Sequence, residues 1–183
     1  MRLLTVCTHN RTRSVLMAGL LWKQLNAAGL DAVVESGGFG PPQAPATPET
    51  LQLLMKAGVD ATRHSSRRAS AEMVRAADLV LTAERQHVVR LVAEEGGDFR
   101  RIFTLPEFCQ RLDTLGTARF SGLDAALEVL NDGRARGMAY LQADVPEVFD
   151  PTGGPDAEWK AAFANISEWC MPVGQFLIRM LCQ

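Results

Sequence analysis

The chain has 183 residues, a formal net charge of -2, and 47% apolar against 22% charged residues. That balance fits a globular chain with a sizeable core and excludes a disordered or fibrous one, and the slightly acidic total leaves no basic footprint for nucleic acid. No apolar run reaches the ~18–20 residues of a membrane span, and no leader-like block follows Arg2, so the expectation is one domain over 1–183, cytoplasmic and off the membrane.

In chain order, residues 2–6 are an apolar run that predicts a central strand. From Ser14 to about Asn26 the pattern turns helical, with Val15, Ala18, Leu21, Trp22 and Leu25 on one face and Gly29 as a stop. Ala32–Glu35 predicts a second strand ending at Ser36-Gly37-Gly38, which makes one βαβ unit. Phe39–Pro48 reads as a surface loop near the open strand ends. Thr47-Pro48-Glu49 then carries the marks of a helix start: a capping hydroxyl, proline at the first helical position, an acid in the first turn.

His64–Arg68 is a polar, basic connector, followed by a short helix around 69–75. Ala77–Leu81 is a third strand, Glu84–Ala93 a helix closed by Gly96-Gly97, and Arg101–Leu105 a fourth strand limited by Pro106. Phe108–Leu115 and Leu123–Leu130 predict helices. The Gly/Arg-rich stretch Asn131–Gly137 reads as exposed and mobile. Asp156–Leu181 keeps helical spacing, with a kink or break expected at Pro172. Strands alternating with helices imply an α/β domain with a parallel sheet.

Chemistry concentrates in Cys7-Thr8-His9-Asn10-Arg11-Thr12-Arg13-Ser14, between the first strand and its helix. A helix start offers unpaired N–H groups and a positive dipole end, which together suit an oxyanion. A cysteine at the floor of such a loop loses its proton more easily. Residues 8–14 are therefore candidate phosphate ligands, with Cys7 as nucleophile. Arg13 is the charge clamp, because its planar fork can grip two oxygens and a solvated arginine at a helix start would oppose the dipole. Arg11 reads as a rim residue. Asn10 tolerates the left-handed conformation and can shape the loop. Cys109, Cys170 and Cys182 are scattered, with no Cys-x-x-Cys pair and no zinc spacing; Cys109 and Cys170 read as small buried hydrophobes. His9, His64 and His87 form no metal constellation and read as a polar surface network.

Cys-x5-Arg-Ser directly after the first strand resembles the phosphate loop of the low-molecular-weight protein tyrosine phosphatases, with Asn10, Arg13 and Ser14 in place and His9 where glycine is common. The resemblance implies a three-layer α/β/α fold whose four-stranded parallel sheet runs in the order 2-1-3-4, and an enzyme needing no metal or organic cofactor. It makes Asp150, in Asp150-Pro151, the general acid and base, with Asp144 a weaker rival. It also has Ser14 bonding the cysteine sulfur, and ties Asn10 to Ser36. The expected partners are a phosphorylated protein or small phosphate ester, and oxyanions such as phosphate. Departures are Thr12 in place of a second cysteine, Thr152 where an aromatic pocket wall is expected, and a long segment from about 110 to 143. Two other readings are a single-cysteine, thiol-dependent arsenate reductase and a non-catalytic oxyanion-binding regulatory domain.

Overall fold

Four parallel strands, β1 (Arg2–Cys7), β2 (Val33–Gly38), β3 (Leu79–Thr82) and β4 (Ile102–Thr104), form one sheet in the order β2-β1-β3-β4 in the computed structural model, which describes residues 1–116 and 118–182. The helices are α1 (Arg13–Ala27), α2 (Pro48–Lys56), α3 (Ala71–Ala76), α4 (Arg85–Glu95), α5 (Leu105–Leu112), α6 (Leu123–Leu130), α7 (Met138–Gln142) and α8 (Asp156–Leu181). Period-two alternation builds the layers. Leu3, Leu79, Leu81 and Phe103 point into a core shared with α1, α2, α5, α6 and α8. Leu4, Val6, Val80 and Ile102 point the other way, against α3, α4 and α7. Among the described residues no helix is long and apolar enough to cross a membrane.

Local signals set most boundaries. Thr47 caps α2, its hydroxyl accepting the Thr50 N–H at 3.4 Å, with Pro48 opening the helix. Gly96 ends α4 in the left-handed conformation at φ 69°. Where a strand was expected to reach Leu105, β4 stops at Thr104 and α5 begins. The cause is a capping box: Thr104 Oγ1 accepts from Glu107 N at 3.2 Å, while the Glu107 carboxylate accepts from Thr104 N at 3.4 Å. Pro106 therefore lies in a first helical turn rather than terminating a strand.

Four expectations are corrected. Trp22 is exposed, because the buried stripe of α1 is centred on Met17, Leu21 and Leu25, one step round the helix. β2 runs on to Gly38, level with Cys7. α8 is continuous through Pro172. Glu168, whose carbonyl loses its partner to that proline, is an exposed residue, where water can take the bond.

The largest correction concerns Asn131–Gly137. This segment is not free: Arg134 is 5% exposed, held between the Phe99 and Phe103 rings with its guanidinium carbon 3.9 Å from each centroid. Its Nε donates to Glu107 Oε1 at 2.7 Å and its Nη2 to Glu107 Oε2 at 3.0 Å, and its Nη groups also reach the carbonyls of Phe99 and Ile102. Tyr140, on the unforeseen helix α7, donates to Glu107 Oε2 at 2.8 Å. The long 110–143 segment is thereby fastened to the end of β4.

Candidate active site

β1 delivers Cys7 to the end of the sheet where the loop of residues 8–12 turns into α1. The Cys7 Sγ lies 3.1 Å from Ser14 Oγ. Asn10 takes the left-handed conformation at φ 53°. Its Oδ1 accepts the Arg67 backbone N–H at 3.0 Å, so its amide nitrogen faces Ser14 and donates to Ser14 Oγ at 3.0 Å. Ser14 therefore turns its own proton toward the sulfur. Thr5 Oγ1 donates to the Ser14 carbonyl at 2.7 Å, and His64 Nε2 donates to the Asn10 carbonyl at 2.7 Å. Burial lowers the His64 pKa, against the bond to Asn10, and the Arg67 charge lowers it further. Ser14 thus sits in the first turn of α1 without capping it; the cap position is Thr12.

Ser36 does not hold Asn10. It pairs across the sheet with Thr5, and its carbonyl accepts from Arg67 Nε at 3.0 Å. The extended β2 instead brings Gly38 against the loop, leaving Ser36 two residues short. A Cβ at Gly38 would stand 2.7 Å from the Asn10 nitrogen and 2.9 Å from the Cys7 carbonyl oxygen, so bare backbone is required there. His9 is exposed, and the left-handed turn falls on Asn10 rather than on His9. Arg11 lies at the rim, its Nε donating to the Pro45 carbonyl at 2.8 Å and its own carbonyl accepting from Thr47 N at 3.1 Å. Thr12 Oγ1 is 3.5 Å from Thr47 Oγ1, a second tie to the start of α2.

Arg13 is 3% exposed. Its Nη1 donates to Glu84 Oε1 at 2.5 Å and to the Val148 carbonyl at 3.1 Å. Its Nη2 donates to Asp150 Oδ2 at 2.7 Å and to Thr8 Oγ1 at 3.3 Å. Its Nε is buried without a partner, alone in this among the described side-chain nitrogens and oxygens. Asp150 is the more open member of the group. Its second oxygen, Oδ1, accepts from Thr152 N at 3.1 Å and from Thr152 Oγ1 at 2.7 Å. The strap leading to it is fixed by Val148 N donating to the Ala83 carbonyl, and by Arg85, whose backbone N–H and guanidinium both reach Glu147. Asp144 makes no contact with Arg13.

Glu84, on which the sequence gives no reading, and His87, expected in a surface network, both belong to this site. Burial alone would raise the Glu84 pKa, yet hydrogen bonds from Gln86 and Arg13 and the neighbouring positive charges hold it below the usual carboxylate range. His87 is buried rather than part of a surface network. Its Nδ1 accepts the Glu84 backbone N–H at 3.2 Å, its Nε2 lies 3.1 Å from Thr8 Oγ1, and its ring stacks on Phe39 at 5.4 Å between centroids. Burial pushes its pKa down to about 4 against the pull of Glu84, with Arg13 adding to the fall. The available signal was spacing: His87 shares the buried face of α4 with Val88 and Leu91, and stands three residues after Glu84 at a helix start.

A thiol at a helix N-terminus, a buried guanidinium with an unpaired N–H, and a half-exposed carboxylate beside it suit transfer of a phosphoryl group. Among the described residues no three His, Cys, Asp or Glu side chains converge as a metal site.

A family model described as "Low molecular weight phosphotyrosine protein phosphatase" matches residues 2–117. A protein-arginine-phosphatase of Bacillus subtilis (strain 168) is 34% identical over 110 residues, covering 59% of this chain and 72% of the relative. Among solved structures, a YwlE mutant from Bacillus subtilis matches with a TM-score of 0.72 at 24% identity, over 97% of this chain and 98% of that one. A low molecular weight protein tyrosine phosphatase from T. tengcongensis matches with a TM-score of 0.69 at 26% identity, over 93% and 95%.

Proposed function

Since this chain belongs to the low molecular weight phosphotyrosine protein phosphatase family, and so hydrolyses phosphate esters through a cysteine, we propose that Cys7 is that cysteine, Asp150 its acid and base, and residues 1–183 one catalytic unit. Cys7 Sγ attacks phosphorus in line, the ester P–O bond breaks, and Asp150 gives its proton to the departing oxygen. Water then attacks the phosphocysteine, Asp150 takes a proton from it, and the P–S bond breaks to release phosphate and restore the thiolate. The Ser14 proton, directed at sulfur by the bond from Asn10, stabilises that thiolate each time it is regenerated.

The observation that carries this reading is the unpartnered Arg13 Nε. A buried cationic N–H without an acceptor costs roughly 1–3 kcal/mol, and a phosphoryl oxygen supplies the missing partner. An oxyanion gripping the Nε edge displaces one bond of Nη2, which frees Asp150 Oδ2 to reach the leaving group. The remaining oxygens take the backbone N–H groups of residues 8–14. The family makes a phosphorylated protein the substrate class.

Recognition rests on the phosphoryl group more than on stacking. Phe39 has His87 on one face and the Arg90 guanidinium 4.0 Å from its ring centre, and Thr152 follows Asp150-Pro151. The 34% identical arginine phosphatase favours phosphoarginine as a second reading of the leaving group. Matched phosphotyrosyl and phosphoarginyl peptides, assayed side by side, separate the two.

The test is turnover of an aryl phosphate. Cys7→Ser should abolish it while vanadate or tungstate still binds. Asp150→Asn should lower kcat by about 10²–10⁴-fold. Near-wild-type turnover by the Cys7 variant removes that residue from the reaction.

A further inference from the structure

Thr8 Oγ1 sits 3.1 Å from His87 Nε2 and 3.3 Å from Arg13 Nη2. The direction of both bonds follows from what surrounds them. A guanidinium nitrogen can only donate. His87 Nδ1 takes the backbone N–H of Glu84, so Nδ1 carries no proton, and the neutral ring must carry its proton on Nε2. Nε2 therefore donates to Thr8 as well. A hydroxyl oxygen has two lone pairs and one hydrogen. Both lone pairs of Thr8 are filled from inside the protein, and only the hydrogen is left.

The hydroxyl that carries it adjoins the reaction space. Thr8 follows Cys7 directly, and the Arg13 Nη2 that donates to it also holds Asp150 Oδ2 at 2.7 Å. The Thr8 backbone is pinned, its carbonyl accepting from both Phe39 N and Gly40 N at 2.8 Å. His87 is steadied in turn by stacking on Phe39. Among the described residues no acceptor takes the Thr8 proton.

We propose that Thr8 donates a hydrogen bond to an oxygen of the transferring phosphoryl group, and that His87 is a positioning residue which enforces this polarity by filling a Thr8 lone pair. The proposal rests on Cys7 being the nucleophile. A free hydroxyl rotates between donating and accepting, whereas an oxygen carrying negative charge is stabilised only by donation. Fixing the rotor beforehand removes that reorganisation at the moment of reaction. A donor-only hydroxyl also favours an unprotonated oxygen at the position it faces, because a P–OH there would need an acceptor that Thr8 no longer offers.

The experiment is a double-mutant cycle on an aryl phosphate, with kcat, KM and vanadate inhibition measured for each variant. Thr8→Val, which keeps the shape and removes the hydroxyl, should lower kcat/KM and weaken vanadate by about 10- to 100-fold. Thr8→Ser should recover most of this. His87→Phe should lower kcat by about 3- to 10-fold, and should cost nothing further in the Thr8→Val background, because its effect travels through the hydroxyl. His87→Gln, with an N–H and a carbonyl to replace the two ring nitrogens, should restore the loss and guards against a folding defect in the Phe variant. Thr8→Val within about twofold of wild type, or a His87→Phe loss that persists in full without the Thr8 hydroxyl, overturns the proposal. Cys7→Ser run in parallel separates the two levels: if it keeps turning over, the nucleophile assignment fails rather than the role of Thr8 alone.

Discussion

Arg13 and Arg134 are both nearly withdrawn from solvent, at 3% and 5% exposure, yet their surroundings differ in one respect. Arg134 has an acceptor for every nitrogen: the Glu107 carboxylate, the carbonyls of Phe99 and Ile102, Asn131 Oδ1 and the Tyr140 oxygen, with aromatic rings on its faces. Arg13 is held by Glu84, Val148, Thr8 and Asp150 and still leaves Nε with nothing. A complete shell fixes a segment in place. An incomplete one waits for a ligand. Burial of an arginine therefore says little until its donors are counted.

Breaking each arginine should give opposite signatures. The largest effect is expected for Arg134→Met, which strands Glu107 in a buried site: about 3–5 kcal/mol lost in urea unfolding, with kcat of the folded fraction little changed. Arg13→Lys keeps a charge beside Glu84 and Asp150 but loses the planar edge. It should cost about 10²–10³-fold in kcat/KM on an aryl phosphate with little movement of the urea midpoint. An Arg13→Lys chain that unfolds easily and turns over normally would invert the comparison.

Two smaller effects sharpen it. Tyr140→Phe removes one bond to the Glu107 carboxylate and should cost about 1.5–3 kcal/mol of stability, with no change in the pH–rate profile. Burial and the Glu107 charge both raise the Tyr140 pKa, so the phenol stays a donor across the working range.

Acid should act on the Arg13 side. The folded pKa of His87, about 4, lies below the 6.5 of a free imidazole. The unfolded chain binds more protons between those values, so this contribution to stability is complete above pH 6.5 and is lost as the pH falls toward 4. Its size is about 3 kcal/mol, and His64 adds to it with the same sign. Urea midpoints measured across that window should fall less steeply for His87→Gln than for wild type. An unchanged slope would show that folding does not displace the His87 pKa.

What could be read ahead of the structure was what neighbours in sequence decide. The Thr47-Pro48 helix start and the Cys7–Ser14 loop need only residues within one turn of one another, and each appears as expected. Arg134 was misread because its composition is that of a solvated loop, while its partner Glu107 stands 27 residues away. His87 was misread for the same reason, since Thr8 is 79 residues distant. The Ser36 assignment failed on register: three more residues of strand moved the contact to Gly38. The misses at the site and in the 131–137 segment are polar side chains whose meaning lies in a long-range partner, which periodicity does not encode.

α1 and α8 lie packed against each other, with Gln24 donating to the Cys170 carbonyl at 3.0 Å and Gly174 leaving room for the Gln24 side chain. One helix begins at Arg13, beside the sulfur; the other begins at Asp156, six residues after Asp150. The two rods act as the jaws of a caliper, their seam deep in the helical layer helping to set how far the start of α1 stands from the start of α8. Sliding that seam by one turn would shift Asp156 relative to Arg13 by about 5.4 Å, so Gln24 and Gly174, far from the Cys7 loop in sequence, help fix how the two helix starts face each other.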